Sequence, residues 1–117
     1  MTVKIQFIRG VNEPIIPEIR LTKSNNASTG NAIFQFKNPK IFLEEVNIKK
    51  TITGMYLIDS EGIIITKRLI TYFINGKPEI LEAIYIIRNT TEWERLTRFL
   101  TRLSESNNLT FIQSEKN

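Results

Sequence analysis

The chain has 117 residues, no histidine and no cysteine, with 16 Lys and Arg against 12 Asp and Glu. That length bounds it to one domain, which buries roughly two-thirds of its unfolded surface and needs no covalent staple. Disulfides, thiolate nucleophiles and cysteine metal sites are excluded, and so are the commonest neutral-pH base and the commonest metal ligand.

The net charge of +4 fits plain solubility, or attraction to an anionic surface such as nucleic acid, lipid or acidic protein loops. No apolar run approaches the ~18 residues of a membrane-spanning helix. Strand-like sequence from Val3 leaves no signal or transit peptide in view.

In chain order, Val3, Ile5 and Phe7 alternate with polar residues and predict a half-buried strand that Arg9-Gly10 ends. Pro14 and Pro17 bracket Ile15-Ile16 and predict an irregular extended crossing. Residues 19–23 read as a short strand and residues 24–30 as a turn cluster. Over residues 31–37, Ala32, Phe34 and Phe36 face inward while Asn31, Gln35 and Lys37 face out. Asn38 suits an N-cap and Pro39 a first helical position, predicting a short helix over 39–46 that packs Ile41, Phe42 and Val46. Residues 47–50 form a polar linker.

Residues 53–58 predict a strand, Asp59-Ser60-Glu61-Gly62 a tight turn with Asp bonding forward, and residues 63–66 the return. Residues 69–88 follow, and they organise the chain. Two runs of β-branched and aromatic residues flank Asn75-Gly76, the strongest short-range hairpin signal. A two-residue type I′ loop sets Ile74 opposite Lys77 and Phe73 opposite Pro78, a non-hydrogen-bonded pair where the missing proline N–H costs little. A longer loop, from Asn75 to Pro78, sets Phe73 opposite Ile80 instead. Both strands are apolar on both faces, which predicts a central position with cover on each side. Consecutive hairpins predict an antiparallel meander.

Asn89 followed three residues later by Glu92 resembles a capping box. The helix it opens covers residues 90–105, with Trp93, Leu96, Phe99, Leu100 and Leu103 as one apolar stripe and Arg95, Arg98 and Arg102 near the opposite side. Glu94 precedes Arg98 by four and supports the helix. Asn107-Asn108 stops it, residues 109–112 offer one short edge strand, and the tail frays from about residue 113. The elements together predict one α+β domain over residues 1–117: a twisted antiparallel sheet of four or more strands packed with a few α-helices.

Chemistry-bearing constellations are sparse. Asp59 and Glu61 sit in a turn, where turn chemistry outweighs acid–base work because a hairpin tip offers neither a pocket nor a raised pKa. Gly54, Gly62 and Gly76 have no phosphate-cradling spacing. Trp93 reads as core. Arg95, Arg98 and Arg102 are either a solvated helix face or a dock for an acidic loop or carboxylate, which arginine can grip bidentately. An RNA-binding module is the rival reading, but Tyr72, Phe73 and Tyr85 have Ile and Leu beside them instead of basic residues. An uncovered edge strand can also capture a partner's extended tail, and main-chain pairing leaves no motif.

Several segments, taken in order, resemble one family. They are Ile5-Gln-Phe-Ile-Arg-Gly10, Arg20-Leu-Thr-Lys-Ser24, Ser28-Thr-Gly30 with Phe34-Gln-Phe36, Ile52-Thr-Gly-Met-Tyr56, Asp59-Ser-Glu-Gly62, Phe73-Ile-Asn-Gly-Lys-Pro78, Glu82-Ala-Ile-Tyr85, and Glu92-Trp-Glu-Arg95 with Arg98-Phe99. The set is similar to the photosystem II assembly factors known as photosystem II reaction-centre W protein, the Psb twenty-eight family. The resemblance implies a non-enzymatic protein with no cofactor and no metal, peripheral to the thylakoid through protein contacts. It implies the stromal face in a plastid, or the cytoplasmic face in a cyanobacterium. The implied partners are photosystem II core subunits, namely reaction-centre subunits and the inner chlorophyll-binding antenna subunit, and not nucleic acid. It further implies docking of an antenna tail as an added strand, and synthesis inside the plastid or cyanobacterium. Partner-binding candidates are Arg95, Arg98 and Arg102 on the helix, with Met55 and Tyr56 from the strand carried by the family motif.

Overall fold

The computed structural model describes residues 3–25, 28–43, 52–107 and 112–115. Strands β1 (Lys4–Ile8), β2 (Val11–Asn12), β5 (Met55–Asp59) and β6 (Gly62–Thr66) form one sheet, in the order β2-β1-β5-β6. Strands β3 (Glu18–Lys23), β4 (Gly30–Lys37), β7 (Leu69–Ile74), β8 (Lys77–Ile87) and β9 (Ile112–Glu115) form a second, in the order β7-β8-β4-β3-β9. All pairings are antiparallel except β3 with β9. One long helix, α1 (Thr90–Asn107), completes an α+β architecture.

The buried residues of both sheets and of the helix make a single cluster. Phe7 of β1 meets Phe36 of β4 edge-to-face, with ring centroids 4.8 Å apart, so the two sheets touch directly through their inner faces. Ala32, Phe34 and Phe36 point inward from β4, as the alternation predicts. The stripe of Trp93, Leu96, Phe99, Leu100 and Leu103 is buried in full. Gly30 sits where Trp93 and β3 converge: a Cβ there would lie 2.6 Å from the Trp93 ring and 2.1 Å from the Thr22 carbonyl oxygen.

The strands do not form one continuous meander. After β6 the chain leaves the first sheet through Lys67-Arg68 and enters the second as β7. The crossing is fastened to β8: Thr66 Oγ1 donates to the Ile84 carbonyl at 2.6 Å, and Ile84 N–H donates to the Arg68 carbonyl at 2.9 Å. β1 also departs from simple alternation, because Gln6 is buried along with Ile5 and Phe7. Its amide donates to Asn12 Oδ1 at 2.7 Å and accepts from Gly10 N–H at 2.9 Å, so the polar group is satisfied where it is buried.

The helical turn at residues 41–43 is capped from a distance. Asn38 takes a left-handed φ of 48° and does not act as the cap. The buried carboxylate of Glu13 accepts from Lys40 N–H at 2.9 Å, Ile41 N–H at 2.8 Å and Ile15 N–H at 3.1 Å. A carboxylate at the start of a helix meets both the orphan N–H groups and their partial positive charge. The rest of the helix expected to residue 46, the linker over 47–50 and the Asn108 cap lie outside the described residues. The backbone of residues 112–115 pairs with β3, so a strand occupies part of the tail expected to fray. Of the edge strand expected at 109–112, only residue 112 is described.

Glu13→Ala would strand three backbone donors, that of Ile41 in a buried place and those of Ile15 and Lys40 part-buried. The expected loss of stability is about 2–3 kcal/mol, read as a lower urea midpoint at unchanged slope.

Candidate functional site

Two surfaces bear on function. The first lies where α1 meets the β5–β6 turn. Asp59 accepts from the Glu61 N–H at 3.0 Å, the forward bond expected of the turn, and Gly62 takes φ 137°. The Asp59 side chain is wholly buried. Arg95 grips it with two bonds, Nη2 to Oδ1 at 2.6 Å and Nη1 to Oδ2 at 2.8 Å, and Arg102 Nη1 donates to Oδ2 at 2.8 Å. Glu61 accepts from Arg98 Nε at 2.8 Å and Nη2 at 2.9 Å, and from Arg102 Nη1 at 2.6 Å.

The spacing 95, 98, 102 places the three arginines on one flank of α1, and the turn of the first sheet comes to meet them. They are not on a face turned away from the protein. Arg98 is drawn to Glu61 and not along the helix to Glu94. Burial pushes the Asp59 carboxyl up, but bonds from Arg95, Arg102 and the Glu61 amide outweigh it and hold the group at about 2. The Arg98 and Arg102 bonds likewise hold Glu61 at about 2. Of the other two sequence-predicted partner residues, Met55 is fully buried in the core. Tyr56 is half-buried on the opposite face of β5, its hydroxyl 2.8 Å from Thr53 Oγ1 and its ring 5.5 Å from the Arg9 guanidinium.

The second surface is the β7–β8 hairpin. Its register is the two-residue form: Ile74 lies opposite Lys77 and Phe73 opposite Pro78, with positive φ at both Asn75 (52°) and Gly76 (79°). A bulge between Tyr72 and Phe73 leaves Glu79 as the extra residue, and its carbonyl accepts from Asn38 N–H at 2.6 Å. The predicted central position is not what forms. β7 is the outer strand of its sheet, and Ile70, Tyr72, Phe73 and Ile74 are all exposed. Apolar residues on both faces signal a covered strand when helices flank a sheet on each side. Here the first sheet and α1 both pack on the inner face, so the outer one stays open. The sequence pattern carries one clue to this, namely that β7 has no charged residue while its flanks Lys67, Arg68 and Lys77 are all basic.

Among the described residues no group of three acidic side chains is placed to hold a metal ion, and no helix is long and apolar enough to cross a membrane.

The family model for Psb28 protein matches residues 5–111 of this chain. The chain belongs to the Psb28 family. Curated relatives named photosystem II reaction center Psb28 protein agree along nearly their whole length. One from Guillardia theta is 49% identical over 94% of this chain and 95% of its own. One from Nostoc sp. (strain PCC 7120 / SAG 25.82 / UTEX 2576) is 51% identical over 95% and 98%. One from Phaeodactylum tricornutum (strain CCAP 1055/1) is 49% identical over 97% and 99%. Psb28 membership makes this a photosystem II-associated protein, with relatives in plastid-bearing organisms and in cyanobacteria.

The Asp59 clamp has a pH signature. A carboxyl lowered from 3.8 to about 2 on folding stabilises the native state fully above its unfolded value, and that support is lost as pH falls toward 2. Asp59→Asn is expected to cost about 2 kcal/mol at pH 7 and progressively less below pH 4, measured by urea unfolding across pH.

Proposed function

We propose that this chain is a non-catalytic assembly factor that binds photosystem II intermediates transiently, at the stromal face of a plastid thylakoid or the cytoplasmic face of a cyanobacterial one. Its partners on this reading are reaction-centre subunits and the inner antenna subunit, and it conditions the immature complex by binding one of its conformations more tightly than another. The observation that carries the reading, beyond family membership, is that β7 is an edge strand with no further strand paired to it among the described residues. Phe73 faces Pro78 in a non-hydrogen-bonded pair, so its N–H and C=O point away from β8, on the outer edge of the sheet. An extended tail of a partner can add there as a further strand, gaining main-chain bonds without displacing a described strand. The edge is apolar, uncharged and six residues long, with no inward charge of the kind that protects such edges from pairing.

A second contact is proposed at the helix. Arg98, its side chain 48% exposed, can take an acidic loop beside Glu61, and Tyr56 offers a ring on the outer face of the first sheet. Arg95 and Arg102 act there by holding Asp59 and so presenting Arg98, and Met55 by seating β5 in the core.

The edge reading is tested by tagging the chain and recovering it from solubilised thylakoids as wild type, Phe73→Ala and Phe73→Pro. The proline removes one edge N–H that the alanine keeps. Recovery of photosystem II intermediates that is clearly lower with Phe73→Pro than with Phe73→Ala, both folded by circular dichroism, is the expected result. Equal recovery by the two variants overturns strand addition at this edge.

A further inference from the structure

Beneath the hairpin tip the fold leaves a notch of about 330 Å³. Leu81 forms part of its floor, and Phe42, Ile52, Leu69, Phe73 and Pro78 line it with Thr71. The notch exists because the hairpin outreaches its cover. Inward-facing Leu81 is 1% exposed, whereas Phe73, on the same face nearer the tip, is 64% exposed. The core phenylalanines Phe7, Phe34, Phe36 and Phe99 are at 0%. A phenylalanine so placed is one wall of a recess that no described side chain fills.

The recess lies along β7, whose outer edge pairs with no strand among the described residues. Residues alternate faces along a strand, so any strand added to β7 directs every second side chain to the inner face, over this recess. The charges agree. Lys67 and Arg68 stand at one end of β7 and Lys77 at the other, and none of them makes an ion pair among the described residues. The helix arginines, by contrast, are already engaged with Asp59 and Glu61.

We infer that the notch reads one large apolar side chain, aromatic or leucine-sized, on an extended partner segment whose ends are acidic. This rests on the strand-addition reading and adds its specificity. Main-chain bonds hold the segment, the recess selects its anchor residue, and the three cations meet its acidic flanks. Neither strand direction is required, because cations bracket both ends.

The test uses synthetic peptides of about nine residues, the length of an ordinary strand. They alternate Thr and Val, with Glu at both ends and either Phe or Ala at the centre. Binding to the full chain is read by fluorescence anisotropy and by amide shifts along Leu69–Ile74. The Phe peptide is expected to bind about tenfold tighter or more, the size of effect that burying a phenyl group gives. Thr71→Phe, at an exposed position that lines the recess, is expected to erase that difference while leaving the β7 shifts. Replacing Lys67, Arg68 and Lys77 by Gln is expected to weaken binding several-fold and to flatten its salt dependence. Equal affinity for the Phe and Ala peptides, with shifts at β7, overturns the notch and leaves strand addition standing. No binding of either peptide overturns the notch as well, and the Phe73→Pro recovery then decides whether strand addition falls with it. A concentration-dependent dimer that excludes the Phe peptide, and that Phe73→Pro abolishes, assigns the recess to a second copy of the chain and overturns the proposal.

Discussion

A carboxylate removed from water must have its charge met, and the way Asp59 is met shapes this molecule. Two guanidiniums and one backbone N–H surround it. The cationic partners come from α1, 36 and 43 residues further along the chain. Taking one partner away from such a group costs far more than a surface pair is worth, because the remaining charge stays buried. The bond set therefore fixes where α1 lies against the first sheet. The apolar stripe on the neighbouring face of the helix then closes the core that the two sheets share.

That closure has a consequence on the far side. The chain has only one long helix among its described residues, and both it and the first sheet are used on the inner face of the second sheet. The outer face and the hairpin tip are left open, with Ile70, Tyr72, Ile74 and Ile86 in contact with water. Single exposed apolar residues call for no explanation, but a row of them on a free edge is a liability that folds ordinarily blunt with charge, proline or cover. Here the charges stand at the ends of the strand and the proline lies on the paired strand, opposite Phe73.

Much of this was legible in the residues. The Asn75-Gly76 turn, the inward side chains of β4, the forward bond of Asp59 and the full apolar stripe of α1 all follow from local rules, because each depends on neighbours within a few positions, whereas the hairpin register was one of two that the turn allowed. What local rules could not reach were relations over distance. Glu13 caps a turn 27 residues away, an arrangement with no spacing signature. The arginines were visible as a group near the side opposite the apolar stripe, but the structure turns them toward the first sheet, and their partners were two carboxylates read as mere turn residues. The edge position of β7 was hidden for the same reason: whether an apolar strand is covered depends on how many other elements are available and where they go. Even the division into two sheets turns on a two-residue crossing, Lys67-Arg68, whose fastening to Ile84 is a tertiary fact.

The distribution of charge closes the physical argument. A net charge of +4 suggests a generally basic surface, yet two groups of three cations, those on α1 and those around β7, differ in kind. Those on α1 are bonded to internal carboxylates, Arg95 and Arg102 as fasteners and Arg98 still half exposed. Those around β7 have no ion-pair partner among the described residues, and long-range attraction scales with such unneutralised charge rather than with the total. The same partition separates rigidity from reactivity toward partners: the clamp side of the molecule is held by directional, short bonds, and the hairpin side carries unpaired main-chain groups, uncovered apolar area and unneutralised cations together. On the reading proposed above, a scaffold without histidine or cysteine that brings all three to one strand would grip an extended, acidic and apolar segment, and the rigidity of the clamp side would let that grip favour one conformation of a partner over another.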